Sequence, residues 1–262
     1  MGQVACRMNE LKRAGRKALI PFLTAGFPSP EIFLRLLRAV DELADLIEIG
    51  VPFSDPLADG PVIQRASQMA LQQGITLDWI LQTLANTQTR APLVLMSYLN
   101  PLLQYVAGNV AAAAHHAQIA GLIVPDLPVE ESAPLEAQAR DHQLDMIYLV
   151  APTTSAERAR YIAERSHGFV YLVSITGVTG ARASFPSETF EFLHRMRQVT
   201  DRPLCLGFGV SHPRQVERIA PYVDGVIVGS GLLHAIMDAP SDPIRAAQDF
   251  LWPIKRALEQ AG

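Results

Sequence analysis

Three carboxylates, Glu48, Asp55 and Asp59, follow Asp45 within one stretch, DLIEIGVPFSDPLADGP, running from Asp45 to Pro61. Glu48 interrupts a short apolar run bounded by Asp45 and Gly50, a pattern that reads as a strand. Side chains alternate along a strand, so Glu48 shares a face with Leu46 while Ile47 and Ile49 point the other way. A carboxylate on a buried strand face is costly to desolvate, and the cost drives its pKa up toward working pH. That is the condition of a general acid or base. The competing reading is a structural ion pair, but no Arg or Lys falls on a strand interior to complete it. Asp55 and Asp59 lie in a loop punctuated by Pro52, Pro56, Gly60 and Pro61, able to swing over Glu48. Asp59 reads equally as a cap for a helix starting at Val62, and Asp55 reads first as a turn former.

A second constellation lies near the C-terminus. Gly207, Gly209 and Gly229 follow two short apolar runs, and Ser230 adds a hydroxyl at the start of a helical segment. Glycines let backbone approach a ligand, and free N–H groups at a helix start favour an anion. Either loop alone could be a tight turn; together they indicate phosphate. The segment from Ile175 to Pro186, long for a strand–helix connection and marked by Gly177 and Gly180, reads as a lid over the same face. Asp126 ends another apolar run and reads equally as a turn residue.

Other mechanisms lack their parts. The three lysines, Lys12, Lys17 and Lys255, avoid strand ends, which argues against a Schiff base. The seven histidines fall on helices, helix starts or the wrong strand end, so no metal site is expected. A Gly-x-Ser-x-Gly elbow is absent, and Cys205 has no base on its own strand. What remains is a phosphate anchor with carboxylates, a set suited to proton transfer on a sugar-phosphate-like molecule.

These groups need a scaffold that brings distant strand ends together. The apolar runs predict strands at Ala18–Thr24, Asp45 onward, Leu93–Ser97, Gly121–Val124, Met146–Val150, Gly168–Ser174, Leu204–Leu206 and Gly225–Val228. Helical periodicity predicts helices at Met8–Arg16, Pro30–Leu43, Val62–Gln73, Leu77–Gln88, Ala111–Ala120, Val129–His142, Ser155–Ser166, Glu188–Val199, Pro213–Ala220, Leu232–Met237 and Pro243–Gln260. Eight strand–helix units without a composition break predict a parallel, closed (β/α)8 TIM barrel with an extra N-terminal helix, spanning residues 1–262 as one domain. An open doubly wound sheet would call for Gly-x-Gly-x-x-Gly after the first strand, and Thr24-Ala25-Gly26-Phe27 does not supply it.

Composition narrows the partners. The net charge of −4 comes without a dense basic cluster, which excludes a nucleic-acid surface. No apolar run approaches the roughly 20 residues that span a bilayer, so no membrane association is expected. Two cysteines without a disulfide framework, and an N-terminus without a signal-peptide pattern, fit a cytoplasmic location. Met1-Gly2 lacks the Ser or Thr at position six that myristoylation needs.

In this order, PFLTAGFP, LIEIGVPFSDPLADGPVIQ, VPDLPVEES, SITGVTGAR, LGFGVSHPRQV and VIVGS resemble the tryptophan synthase alpha subunit family along nearly the whole chain. The resemblance implies retro-aldol cleavage of indole-3-glycerol phosphate to indole and glyceraldehyde 3-phosphate. It implies Glu48 as the acid/base and Asp59 as the partner of the indole N–H. It further implies Thr179 bonded to Asp59, Tyr171 beside Glu48, and Phe22 and Tyr98 around the indole. Phosphate would meet Gly180, Gly209 and Ser230, with Phe208 and Gly229 beside them. The resemblance also implies no cofactor in this chain, and passage of indole to a pyridoxal-phosphate-bearing beta subunit in an alpha2beta2 heterotetramer, with the Pro52–Pro56 loop facing that subunit. The alternatives are a stand-alone indole-glycerol-phosphate lyase, another phosphate-binding barrel enzyme, or a silent partner subunit.

Overall fold

A computed structural model describes residues 2–105, 108–173, 185–207 and 209–261. All strand pairings are parallel. The strands are β1 (Ala18–Thr24), β2 (Ile47–Gly50), β3 (Leu93–Met96), β4 (Ile119–Ile123), β5 (Asp145–Ile147), β6 (Leu149–Val150), β7 (Val170–Val173), β8 (Leu204–Gly207) and β9 (Gly225–Val228). They run β5-β4-β3-β2-β1-β9-β8-β7-β6. The two ends of that order, β5 and β6, are separated only by Tyr148, so the sheet is an eight-stranded barrel whose fifth strand is interrupted at one residue. There the Tyr148 N–H leaves the ladder and donates to Ser166 Oγ at 3.3 Å, while its carbonyl accepts from Tyr171 N–H at 3.0 Å.

The helices are α1 (Gln3–Arg13), α2 (Pro30–Asp41), α3 (Pro61–Gln72), α4 (Leu77–Ala85), α5 (Leu99–Leu103), α6 (Val110–His116), α7 (Ala133–Asp141), α8 (Ala156–Arg165), α9 (Ser187–Val199), α10 (Pro213–Ile219), α11 (Ser230–Asp238) and α12 (Pro243–Gln260). Alternation along each strand sorts the core into two shells. Leu19, Ile47, Ile49, Leu93 and Leu95 face the surrounding helices. Ala18, Ile20, Leu46, Val94, Tyr171, Cys205 and Ile227 fill the barrel interior together with Val4, Met8 and Leu11 of α1. The extra helix is therefore a plug across the N-terminal end. Burying each of those three side chains contributes roughly 1.5–3 kcal/mol.

Some boundaries differ from the sequence pattern for identifiable reasons. α1 starts well before Met8 because the Asp145 carboxylate accepts from Ala5 N–H at 3.0 Å and caps its first turn from across the barrel. α6 ends at His116 because Gln118 adopts a positive φ of 60°. α5, a short helix absent from the sequence pattern, runs through Asn100-Pro101. Pro101 stands in the first helical turn, where a missing N–H removes no intrahelical bond.

Asp45, just before β2, is 1% exposed. It accepts from Lys255 Nζ (2.6 Å), Arg7 Nη2 (2.8 Å), Arg16 Nη2 (3.4 Å) and Leu19 N–H (3.1 Å). This hub ties α1, β1 and α12 together at the plugged end.

Candidate active site

β2 delivers Glu48 to the barrel interior, its Cα paired in register with Phe22 on β1 and Val94 on β3. Glu48 is 1% exposed, and among the described residues neither carboxylate oxygen has a hydrogen-bond partner. Burial raises its pKa, and the nearby Asp59 charge raises it further, to about 8. Near neutral pH Glu48 is therefore mostly a carboxylic acid with a proton to give. Tyr171 on β7 is also buried, its hydroxyl pushed far above the usual phenol range by burial and then by the Glu48 charge. Phe22 and Tyr171 fit because Gly50 and Gly207 have no side chain; a β-carbon on either would collide with the corresponding ring.

Asp59 sits in the loop between β2 and α3. It is not a helix cap: Gly60 precedes α3 without any side-chain cap, and Gln64 Nε2 donates to the Asp59 carbonyl instead. The Asp59 carboxyl accepts from the Tyr98 hydroxyl. Burial moves its pKa up, and the Tyr98 bond partly opposes that shift. The same hydroxyl accepts from Ala58 N–H at 2.9 Å, and the Tyr98 ring lies 5.3 Å from that of Phe53. Tyr98 thus pins both sides of the loop over the strand ends. The cavity left below is about 20 Å³, bordered by Phe22, Gly50, Asp59, Ser97, Tyr98 and Pro125. It holds little more than a water. A larger cavity of about 550 Å³ lies at the opposite end, between α1 and the starts of β5 and β7. It is remote from Glu48 and lies at the N-terminal face, where barrels carry stability rather than chemistry.

Of the phosphate candidates, Gly209, Gly229 and Ser230 follow the ends of the neighbouring strands β8 and β9. Gly229 precedes α11 without a side-chain cap, and the first turn of α11 carries no acidic residue, so its N–H groups are open to an anion. Gly209, at φ 81°, holds the left-handed conformation that glycine tolerates best. Gly209 and Ser230 are exposed and Gly229 half-buried, so the corner is accessible. Thr179, Gly180 and Phe208, and most of the lid segment, lie outside the described residues. Asp55 is exposed and bonded to Ser54. Asp126 serves the scaffold: it accepts from Leu99 N–H at 2.8 Å and braces the start of α5. The sequence pattern alone does not single out Gln215, although His212-x-x-Gln215 carries the spacing of a capping box.

A buried carboxylic acid held neutral beside a second carboxylate, with a glycine-lined corner open to an anion after β8 and β9, on a (β/α)8 barrel, fits the class of barrel enzymes that move protons on a phosphorylated substrate. Comparison with known proteins makes the class specific. Residues 8–261 match the family described as "Tryptophan synthase alpha chain". The tryptophan synthase alpha chain of Picosynechococcus sp. is 45% identical over 98% of this chain and 100% of its own. That of Nitratidesulfovibrio vulgaris is 49% identical over 90% and 93%. The crystal structure of tryptophan synthase subunit alpha from Legionella pneumophila superposes with a TM-score of 0.89 at 36% identity, covering 99% of both chains. The chain belongs to the tryptophan synthase alpha chain family. Its activity is the carbon–carbon lyase reaction of that family, cleavage of indole-3-glycerol phosphate in tryptophan biosynthesis. Another phosphate-binding barrel activity is not favoured.

Proposed function

We propose that Glu48 carries both proton transfers of this cleavage and that Asp59 carries the counter-charge. Indole is a poor leaving group until its C3 is protonated. Glu48, held neutral by burial, donates its proton to C3, and the ring becomes an iminium with positive charge at nitrogen. Asp59, hydrogen-bonded to the indole N–H, stabilises that charge. The Glu48 carboxylate then accepts the proton of the hydroxyl on the adjoining glycerol carbon. The C3–carbon bond breaks, its electron pair neutralises the ring, and a carbonyl forms on the departing glyceraldehyde 3-phosphate. Glu48 ends protonated, ready for the next turnover. Phe22, Tyr98 and Tyr171 surround the ring, and Thr179 bonds to Asp59. Gly180, Gly209 and Ser230 receive the phosphate, with Phe208 and Gly229 beside them.

The observation that carries this reading is the unpartnered, fully buried Glu48 opposite Asp59. Its test is indole release by the purified chain. The parent should cleave indole-3-glycerol phosphate, and Glu48→Gln should bind the substrate without cleaving it. Activity of the variant within a few-fold of the parent would remove Glu48 from the mechanism.

We further read the chain as one domain of a cytoplasmic enzyme whose partner is a beta subunit holding pyridoxal phosphate, in an alpha2beta2 assembly. Two side chains support a docking face beside the site: Leu57, 82% exposed on the Asp59 loop, and Leu103, 71% exposed on α5 just beyond Tyr98. Among the described residues no helix is long and apolar enough to cross a membrane. Co-purification with a pyridoxal-phosphate protein at 1:1 stoichiometry is expected; recovery of the chain alone from cells that express both would favour the stand-alone lyase.

A further inference from the structure

The turn between β8 and α10 owes its shape to a buried amide. Gln215, in the first turn of α10 and 3% exposed, points Oε1 back to accept Ser211 N–H at 2.8 Å and His212 N–H at 2.9 Å. The Ser211 hydroxyl stands 3.4 Å from the same oxygen. Two consecutive backbone donors are thereby tied to the first turn of α10. On its other side the turn abuts α11, since a β-carbon built on Gly231 would meet the Ser211 β-carbon at 3.1 Å. Residues 209–212 are thus held between Gln215 behind and the open first turn of α11 in front. His212 separately caps α10, its Nδ1 accepting from Arg214 N–H at 3.2 Å, so α10 does not depend on Gln215 alone for its start.

We propose that Gln215 is a positioning residue for the phosphate end of the substrate. It does not reach the phosphate. By accepting from Ser211 and His212 it holds Gly209 and its neighbours at a fixed distance from the α11 N-terminus, so the anion site is formed before substrate arrives. A preformed site avoids the ordering cost that a loose turn would impose on binding. An amide suits this position because it accepts two N–H bonds without placing a negative charge behind an anion site. An apolar replacement would leave those part-buried N–H groups without their acceptor. The inference rests on the phosphate reading of this corner, and the experiment separates the two.

Gln215→Leu removes the acceptor. Gln215→Met does the same with an unbranched side chain closer in shape, and carries the test if the leucine variant does not fold. For either variant the KM for indole-3-glycerol phosphate should rise about tenfold or more, with kcat within about threefold of the parent. Inhibition by glyceraldehyde 3-phosphate should weaken by the same factor, while inhibition by indole, which has no phosphate, stays unchanged. Equal weakening toward both products, or loss of kcat at constant KM, would mean a merely structural role and overturn the proposal. Ser230→Asp, which sets a carboxylate at the start of α11, is the reference. If it weakens glyceraldehyde 3-phosphate and the Gln215 variants do not, the proposal fails and the phosphate reading stands. If Ser230→Asp also leaves that inhibition unchanged, the phosphate reading itself falls.

Discussion

Asp45 and Glu48 stand at opposite ends of the same short segment, each 1% exposed, and they have opposite electrostatic fates. At the plugged end Asp45 meets Lys255, Arg7, Arg16 and a backbone N–H. At the open end Glu48 meets no hydrogen-bond donor among the described residues, and its charged form is opposed by Asp59. Desolvation penalises both carboxylates. Around Asp45 the cost is offset by cations drawn from α1, from the turn after it and from α12. Around Glu48 it is left standing and takes the form of a raised pKa. A buried acid with partners holds parts of the chain together; a buried acid without them keeps a proton available. The division follows the barrel rule that the strand N-termini serve stability and the C-termini serve chemistry.

Removing each acid in turn breaks the comparison from its two sides. Glu48→Gln should cost about 10⁴-fold in cleavage, the upper end for a group acting as both acid and base, yet should not destabilise the fold. The sign follows from proton linkage. The folded-state pKa of Glu48, about 8, lies above the unfolded value of about 4.3. The folded protein therefore retains a proton that the unfolded chain releases, and the stability this provides falls as pH rises between those values. Glutamine does not titrate, so in thermal melts the variant should lose less stability than the parent between about pH 4 and pH 8, the window those two pKa values define. Parallel pH profiles would mean that Glu48 is not a buried neutral acid. Asp45→Ala should do the reverse. It strands Lys255, only 8% exposed, and should cost about 3–5 kcal/mol of stability with kcat and KM nearly unchanged at room temperature. Denaturant titration beside steady-state kinetics reads both; loss of kcat without loss of stability would put chemistry at the wrong end of the barrel.

Glu48 could be found from sequence because its signal is local: an acid inside a four-residue apolar strand. The eightfold alternation is legible for the same reason, the strands and the longer helices announcing themselves by periodicity and by flanking Gly and Pro, whereas the five-residue α5 does not. Asp45 carried no comparable signal. Its cationic partners lie 29, 38 and 210 positions away, and only the closed barrel brings them together. The early start of α1 is likewise set by Asp145, 140 residues from Ala5. The break at Tyr148 comes from a hydrogen bond to Ser166 that competes with the ladder, and nothing in the run from Met146 to Val150 marks it. Asp59 looked as much like a cap as a catalytic group until its carboxyl was found bonded to Tyr98. Gln215 was within reach of the capping-box spacing, but that motif speaks of a helix start and not of the turn it also holds.

Asp59→Asn sharpens the comparison by altering the surroundings of Glu48 without touching it. Loss of the negative charge opposite the ring nitrogen should lower kcat about 10²-fold, the scale for one electrostatic contact to a developing charge. Its effect on the pH profile is more diagnostic. In the parent, Glu48 must start protonated, so activity should decline as pH rises through about 8. Asp59 must be ionised, so activity should also decline as pH falls through its pKa, which burial raises above 3.8. Asparagine removes the acid limb altogether. It also removes a charge that resists ionisation of Glu48, so the remaining basic limb should move to lower pH. It should stop well short of an ordinary glutamate, because burial is the larger cause of the shift. A basic limb that stays in place would show that the two carboxylates do not sense each other, and a parental kcat would remove Asp59 from the charge-stabilising role.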